Sequence, residues 1–339
     1  MSATDVPDDG QDVLLEITDL QKYFPVTRGI VFKRTIAQVK AVDGVSLSVR
    51  KGETLGLVGE SGCGKTTIGR CILKLERPTA GHIRYYGEDV HGLDAQSTKK
   101  FRRKVQAVFQ DPYSSLNPRM KVGDIITEPL TIHGVQSDPV AMDTRLQELL
   151  DICGLPKMMA DRYPHEMSGG QRQRVGIARA LALNPEFIVC DEAVSALDVS
   201  IQAQVINLLE DLRKEFNLTY LFIGHDLSVV RHLCHRVVVM YLGKIVEVAD
   251  TDELFDNPKH PYTRALLESV PVPDPTLEKQ RAHYTLPGEV PSPIDPPAGC
   301  VFHPRCSLAV ASCNQERPSL EKLGRGHWAA CPVVASQSQ

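Results

Sequence analysis

The chain lacks an apolar run of the roughly 20 residues that a bilayer-crossing helix needs. Its longest, Val237 to Leu242, has the length of a buried strand. Aromatic residues are scarce, at 6% with a single tryptophan, which disfavours a stacking platform for single-stranded nucleic acid. A strong charge of either sign is also missing. The net charge is −4, so no basic face marks a nucleic-acid partner. The first residues, Met-Ser-Ala-Thr-Asp-Val-Pro-Asp-Asp-Gly, are polar and acidic, the reverse of a secretory leader. The expectation is a cytosolic protein that reaches a membrane only through a partner. In that compartment most of the nine cysteines would stay reduced. Five are scattered (Cys63, Cys71, Cys153, Cys190, Cys234); Cys300, Cys306, Cys313 and Cys331 cluster late in the chain.

What is present is an ordinary globular composition, 42% hydrophobic over 339 residues. That is enough for one large domain with an appendage, or for two domains. Apolar segments at Leu55–Val58, Phe187–Cys190, Tyr220–Ile223 and Val237–Met240 alternate with helical patterns such as Thr66–Leu75. Near-continuous apolar strands separated by helices predict an α/β sheet covered on both faces. Between Gln110 and Leu183 helical periodicity takes over, at Thr144–Ile152 and Gln171–Leu183. An α-helical subdomain inserted at about 112–183 is expected, with an antiparallel β edge near the N-terminus. From Pro258 onward lie 13 of the 23 prolines. Long helices and central strands are therefore not expected there. The segmentation predicted is 1–13 disordered, 14–257 the main α/β domain, and 258–339 an irregular extension.

Gly59-Glu60-Ser61-Gly62-Cys63-Gly64-Lys65-Thr66 fits G-x-x-x-x-G-K-[ST] between a strand and a helix. Glycines let the backbone wrap a phosphate with its N–H groups turned inward. The following helix N-terminus favours an anion. Lys65 would meet the β- and γ-phosphates, with the Thr66 hydroxyl on Mg²⁺ and Thr67 beside it. Asp191-Glu192 ends a buried strand, where an acidic pair is costly unless used. The natural roles are Asp191 on Mg²⁺ and Glu192 on the attacking water. His225 and Gln110 each follow a strand, and neither is informative alone.

Met167-Ser168-Gly169-Gly170-Gln171 narrows the field. With the phosphate loop, Gln110, Asp191-Glu192, Ser195-Ala196-Leu197-Asp198 and His225 in this order, residues 14–257 resemble the ATP-binding-cassette ATPases. The resemblance implies a P-loop fold. Ser168, Gly169, Gly170 and Gln171 become the signature loop, acting on the nucleotide of a partner cassette. Asp198 belongs to the D-loop, His225 is a switch histidine, and Gln110 a Mg²⁺-linked Q-loop residue. An aromatic ahead of the phosphate loop, Phe24 or Tyr23, would stack on adenine. Val108 to Met120, Asp191 to Ser195, and His260-Pro261-Tyr262-Thr263 leading to Pro287-Gly288-Glu289-Val290-Pro291 are similar to di- and oligopeptide importer ATPases. Nickel importers share much of this pattern. The implied partners are two permease subunits, a second related ATPase and an extracytoplasmic solute-binding protein, with no nucleic acid. The implied place is the cytoplasmic face of the membrane. The rival reading is a soluble cassette ATPase; such proteins usually carry two cassettes or a long coiled-coil insertion, and sustained heptads are missing here.

The late cysteines follow C-x5-C-x6-C-x17-C. This lacks the C-x2-C knuckles of most structural zinc sites and the runs of ferredoxins. Spacing alone names no metal, and soft thiolates suit iron–sulfur or zinc. The resemblance implies a 4Fe–4S cluster on Cys300, Cys306, Cys313 and Cys331. Zn²⁺ is the chemical alternative, and His303 and His327 are substitute ligand candidates that read more readily as structural residues.

Overall fold

The computed structural model describes residues 12–28, 34–111, 115–269 and 288–335. They form two compact units, one of Met1–Arg50, Leu55–His91 and His225–Gln339, the other of Lys51–Thr54 and Gly92–Gly224. Residues 1–11 of the expected disordered start, Pro112 to Ser114 and Pro287 lie outside the described residues.

In the first unit, strand Val13–Arg28 pairs antiparallel with Arg34–Arg50 and with Ala80–Tyr85, which in turn pairs with Glu88–Asp89. This is the expected antiparallel edge. Ile17 is matched to Leu47 on one side and Ile83 on the other. All three are buried, so a one-residue slip would turn the apolar set to solvent.

The same unit holds Leu55 onward of the strand Thr54–Val58, which runs parallel to Arg236–Tyr241. Arg236–Tyr241 continues through a tight turn into Lys244–Asp250. Leu242 (φ 45°) and Gly243 (φ 77°) both sit in the left-handed region, as a two-residue hairpin of the right twist requires. Every residue of Thr54–Val58 and Arg236–Tyr241 is buried.

Here the extension departs from expectation. His327–Ala329 pairs with Lys244–Asp250, and Glu321–Gly324 pairs with His327–Ala329. The extension therefore adds two strands to the sheet. Its prolines are concentrated elsewhere: none falls within Glu321 to Ala329. A helix, Pro261–Glu268, also forms there. Pro261 stands at its first turn, where a missing N–H removes no helical bond.

In the second unit, Val105–Val108, Phe187–Asp191 and Thr219–Ile223 form a parallel ladder with Phe187–Asp191 between the other two. Helices Val122–His133, Pro139–Ile152 and Gly169–Leu181 supply the expected helical region. The second of these starts earlier than its apolar periodicity suggests. The Asp138 carboxylate caps it by accepting from the Ala141 N–H at 3.1 Å, and Pro139 opens its first turn.

Candidate functional site

The buried strand Thr54–Val58 delivers the chain into the phosphate loop, and the helix Lys65–Ile72 leaves it. Two glycines are demanded by close approach. A Cβ at Gly59 would stand 2.1 Å from the Met240 carbonyl oxygen, and one at Gly64 would stand 2.1 Å from that of Ala41. Both have positive φ, 147° and 108°, which side-chain-bearing residues rarely adopt. The helix start carries no side-chain cap and no acidic residue in its first turn. An anion placed there would complement the helix dipole.

Lys65 is buried and folded back into its own loop. Its ammonium donates to the carbonyls of Gly59 at 2.8 Å and Glu60 at 3.0 Å. The cation is thus already inside the cradle it would share with phosphate. Burial pushes the neighbouring Cys63 thiol up, although the Lys65 charge opposes this. Cys63 is therefore a neutral packing group, with little thiolate to act as a nucleophile.

Sequence reasoning missed how much the extension touches this loop. The Tyr262 hydroxyl accepts from the Glu60 N–H at 2.8 Å. Arg305 donates to both Glu60 carboxylate oxygens, at 2.9 and 3.2 Å. With 245 positions between the partners, nothing in the local pattern could have paired them.

In the second unit, Asp191 closes its strand and Glu192 follows at φ 48°. A non-glycine residue held in that region stores about 1–3 kcal/mol, a strain that clusters at functional sites. Backbone bonds over-determine it: the Glu192 N–H donates to the Ile223 carbonyl at 2.9 Å, and its own carbonyl accepts from the Ser195 N–H at 3.1 Å. The Gln110 amide donates to the Glu192 carboxylate at 2.7 Å. Two residues that the chain separates by 82 positions thus meet directly.

Ser168 and Gln171 form a reciprocal cap on the helix Gly169–Leu181. The Gln171 N–H donates to the Ser168 hydroxyl at 3.3 Å, and the Ser168 N–H to the Gln171 side chain at 3.0 Å. A Cβ on Gly170 would lie 2.3 Å from an Ile201 methyl, so this glycine lets the cap approach the helix Val199–Phe216, whose N-cap is Asp198. His225, in the first unit, is exposed and precedes Asp226, the side-chain cap of Leu227–Leu233.

The two aromatic candidates differ. The Tyr23 hydroxyl donates to Asp43 at 2.5 Å. Burial and that bond push its phenol up to about 12. Asp43 is further paired with Lys244 at 2.8 Å and Arg317 at 3.4 Å. Tyr23 is thereby committed to a structural network. Phe24 is half-buried, with the Lys22 ammonium 4.8 Å from its ring centre.

Cys300, Cys313 and Cys331 are buried and Cys306 is half-buried. The Cys300 N–H donates to the Cys313 carbonyl at 2.8 Å. Burial pushes the Cys300 thiol up to about 11, and negative charge on the other three would push it further. The backbone bond brings the Cys300 and Cys313 segments together. Among the described residues no group of three or more His, Cys, Asp or Glu is arranged to hold a metal ion. Both ring nitrogens of His327 face carboxylates, Glu247 at 2.7 Å and Glu253 at 3.3 Å. His303 lies 2.9 Å from the Cys300 carbonyl through Nδ1. Their ring contacts are those of structural histidines.

Residues 42–195 match the ABC transporter family model, and residues 246–313 match the oligopeptide/dipeptide transporter C-terminal region. The chain is 54% identical over 326 residues to the oligopeptide transport ATP-binding protein AppF of Bacillus subtilis, covering 96% of this chain and 98% of that one. It is 50% identical over 327 residues to the oligopeptide transport ATP-binding protein OppF of Escherichia coli, covering 96% and 98%. Among solved structures, the dimeric post-hydrolysis state of the ATP-binding cassette MJ0796 bound to ADP and Pi is similar, with a TM-score of 0.62 and 28% identity over 70% of this chain and 99% of that one. The chain belongs to the ABC transporter family, within the group that carries the oligopeptide/dipeptide transporter C-terminal region.

Proposed function

We propose that this chain is the ATP-hydrolysing subunit that drives import of di- or oligopeptides through a membrane permease. The observation that carries the reading is the pairing, in one chain, of a glycine-built phosphate loop with the C-terminal region matched at 246–313. Relatives at 50–54% identity are named for oligopeptide transport. Residues 14–257 would be the cassette, with its helical subdomain at about 112–183, and 258–339 the extension.

The residue roles follow the family resemblance. Gly59 to Thr67 cradle the phosphates, and Lys65 exchanges its loop carbonyls for phosphate oxygens. Thr66, Gln110 and Asp191 would hold Mg²⁺, and their oxygen donors fit a hard cation. Bound there, Mg²⁺ neutralises charge that builds on the phosphates. Glu192 orients and deprotonates the attacking water, and its bond to Gln110 fits a base that nucleotide binding must re-aim. His225 senses the γ-phosphate. Phe24 takes the adenine-stacking role over the tethered Tyr23. Ser168 to Gln171 and Asp198 act on the nucleotide of a partner cassette.

The four cysteines are proposed as ligands of a 4Fe–4S cluster. Their soft thiols suit such a cluster, which would cross-link the segment that carries them. Anaerobic purification followed by an absorbance spectrum tests it. A brown protein with charge-transfer bands is expected, and a colourless one with stoichiometric zinc refutes it. The proposed partners are two permease subunits, a second related ATPase and an extracytoplasmic solute-binding protein, with this subunit on the cytoplasmic face. Among the described residues no helix is long and apolar enough to cross a membrane.

Uptake of a labelled tripeptide by cells lacking this chain tests the function. The wild-type chain restores uptake and Glu192→Gln does not. Equal uptake with and without the chain refutes the proposal.

A further inference from the structure

We propose that Arg305 and Tyr262 are positioning residues of the phosphate loop, through which the extension sets nucleotide affinity. This rests on the ATP-hydrolysing reading above.

Both contacts fall on Glu60, the second residue of the loop. Gly59 C=O and Glu60 N–H are two ends of one planar peptide unit. The carbonyl end accepts from Lys65 at 2.8 Å, while the N–H end donates to the Tyr262 hydroxyl at 2.8 Å. Fixing one end fixes the other, so Tyr262 sets the plane against which Lys65 rests. Gly59, at φ 147°, leaves that plane free to turn without the tyrosine.

Arg305 holds the side chain of the same residue. It is 6% exposed, and its Nη1 spans both Glu60 carboxylate oxygens and lies 3.3 Å from the Tyr241 hydroxyl. A buried charge held in this way is a strong, directional anchor. The anchor stands on a cluster of buried aromatic rings. Phe302 packs against Tyr241 and Tyr262, with ring centres 5.2 and 5.4 Å away, and Tyr241 meets Tyr262 at 4.8 Å. Phe302 and Arg305 lie between Cys300 and Cys306. The segment that carries the cysteines is thus the segment that grips the loop.

The test is MgATP binding and hydrolysis by the full chain, with a thermal melt on each variant. Arg305→Met is expected to raise both the Kd and the KM for ATP about tenfold, the scale of one charged hydrogen bond. The kcat at saturating ATP stays near wild type, because the reacting groups are untouched. Arg305→Lys recovers most of the loss. Glu60→Gln combined with Arg305→Met binds no worse than the weaker single variant, since both break one contact. Tyr262→Phe removes a single oxygen from the ring cluster and shifts Kd a few-fold. It carries the test should Arg305→Met fail to fold. Folded variants whose affinity stays within about twofold of wild type overturn the inference, as do fully additive losses for Glu60 and Arg305. A wild-type chain that binds no ATP overturns the ATPase reading itself, a different outcome from wild-type binding with indifferent variants.

Discussion

Gly64→Ala should disable nucleotide binding, whereas Gly62→Ala, two residues away, should not. At Gly64 a Cβ would meet the Ala41 carbonyl oxygen at 2.1 Å with φ at +108°. Opening that gap to a 3.4 Å contact needs a little over 1 Å of backbone movement. Placing an L-residue at such a φ costs about 1–2 kcal/mol besides. Displacement on the order of 1 Å in a reacting site lowers turnover about 100-fold. At Gly62 the φ of +78° carries the same conformational cost, but no atom lies within 4 Å of the added Cβ. Its loss should stay below about thirtyfold, the scale of that backbone cost alone. Titration with a fluorescent ATP analogue, and phosphate release at saturating MgATP, separate the two. Equal effects of the two substitutions, or Gly64→Ala binding like wild type, would refute the reasoning.

Glu192→Gln should keep ATP binding and slow hydrolysis by about 100-fold or more, the scale of one general base; phosphate release against nucleotide titration checks it. Phe24→Ala should weaken ATP about tenfold, on the scale of one base–aromatic stack. Tyr23→Phe should leave affinity unchanged, because its phenol serves Asp43. Burial holds the His260 imidazole down at about 4, so an unfolded chain takes up the proton first as pH falls from about 6.5. The stability this histidine contributes should therefore be lost between pH 6.5 and 4, by about 3 kcal/mol in all. Urea melts at pH 7 and 4.5 check the slope, which His260→Asn should flatten while its side chain still caps the helix Pro261–Glu268.

The phosphate loop was legible because its chemistry is local. Glycine, lysine and threonine at fixed offsets between strand and helix need no distant partner to be read. The buried strands were legible for the same reason, since Phe187 to Cys190 and Tyr220 to Ile223 are continuous apolar runs. The Gln110–Glu192 pair was named by its ends, but the contact itself could not be read from either. The extension was read least well. Proline content pointed away from strands, yet Glu321 to Ala329 contains none and pairs with Lys244–Asp250 through His327–Ala329. His327 read as a structural residue before a spare ligand, but its partners were not legible. It bonds Glu247, a fully buried carboxylate that also accepts from the backbone N–H groups of Lys259 and His260 at 2.7 and 2.9 Å. Such a hub is assembled from positions far apart in the chain, and no period or spacing encodes it.

ATP hydrolysis by this chain should drive peptide import. The most direct measurement is phosphate release and labelled-peptide uptake by the chain assembled with its permease and partner ATPase in proteoliposomes, with and without peptide-loaded binding protein. Loaded binding protein should stimulate hydrolysis, and uptake should stop with Glu192→Gln. Hydrolysis indifferent to peptide, together with uptake that survives Glu192→Gln, would contradict the account.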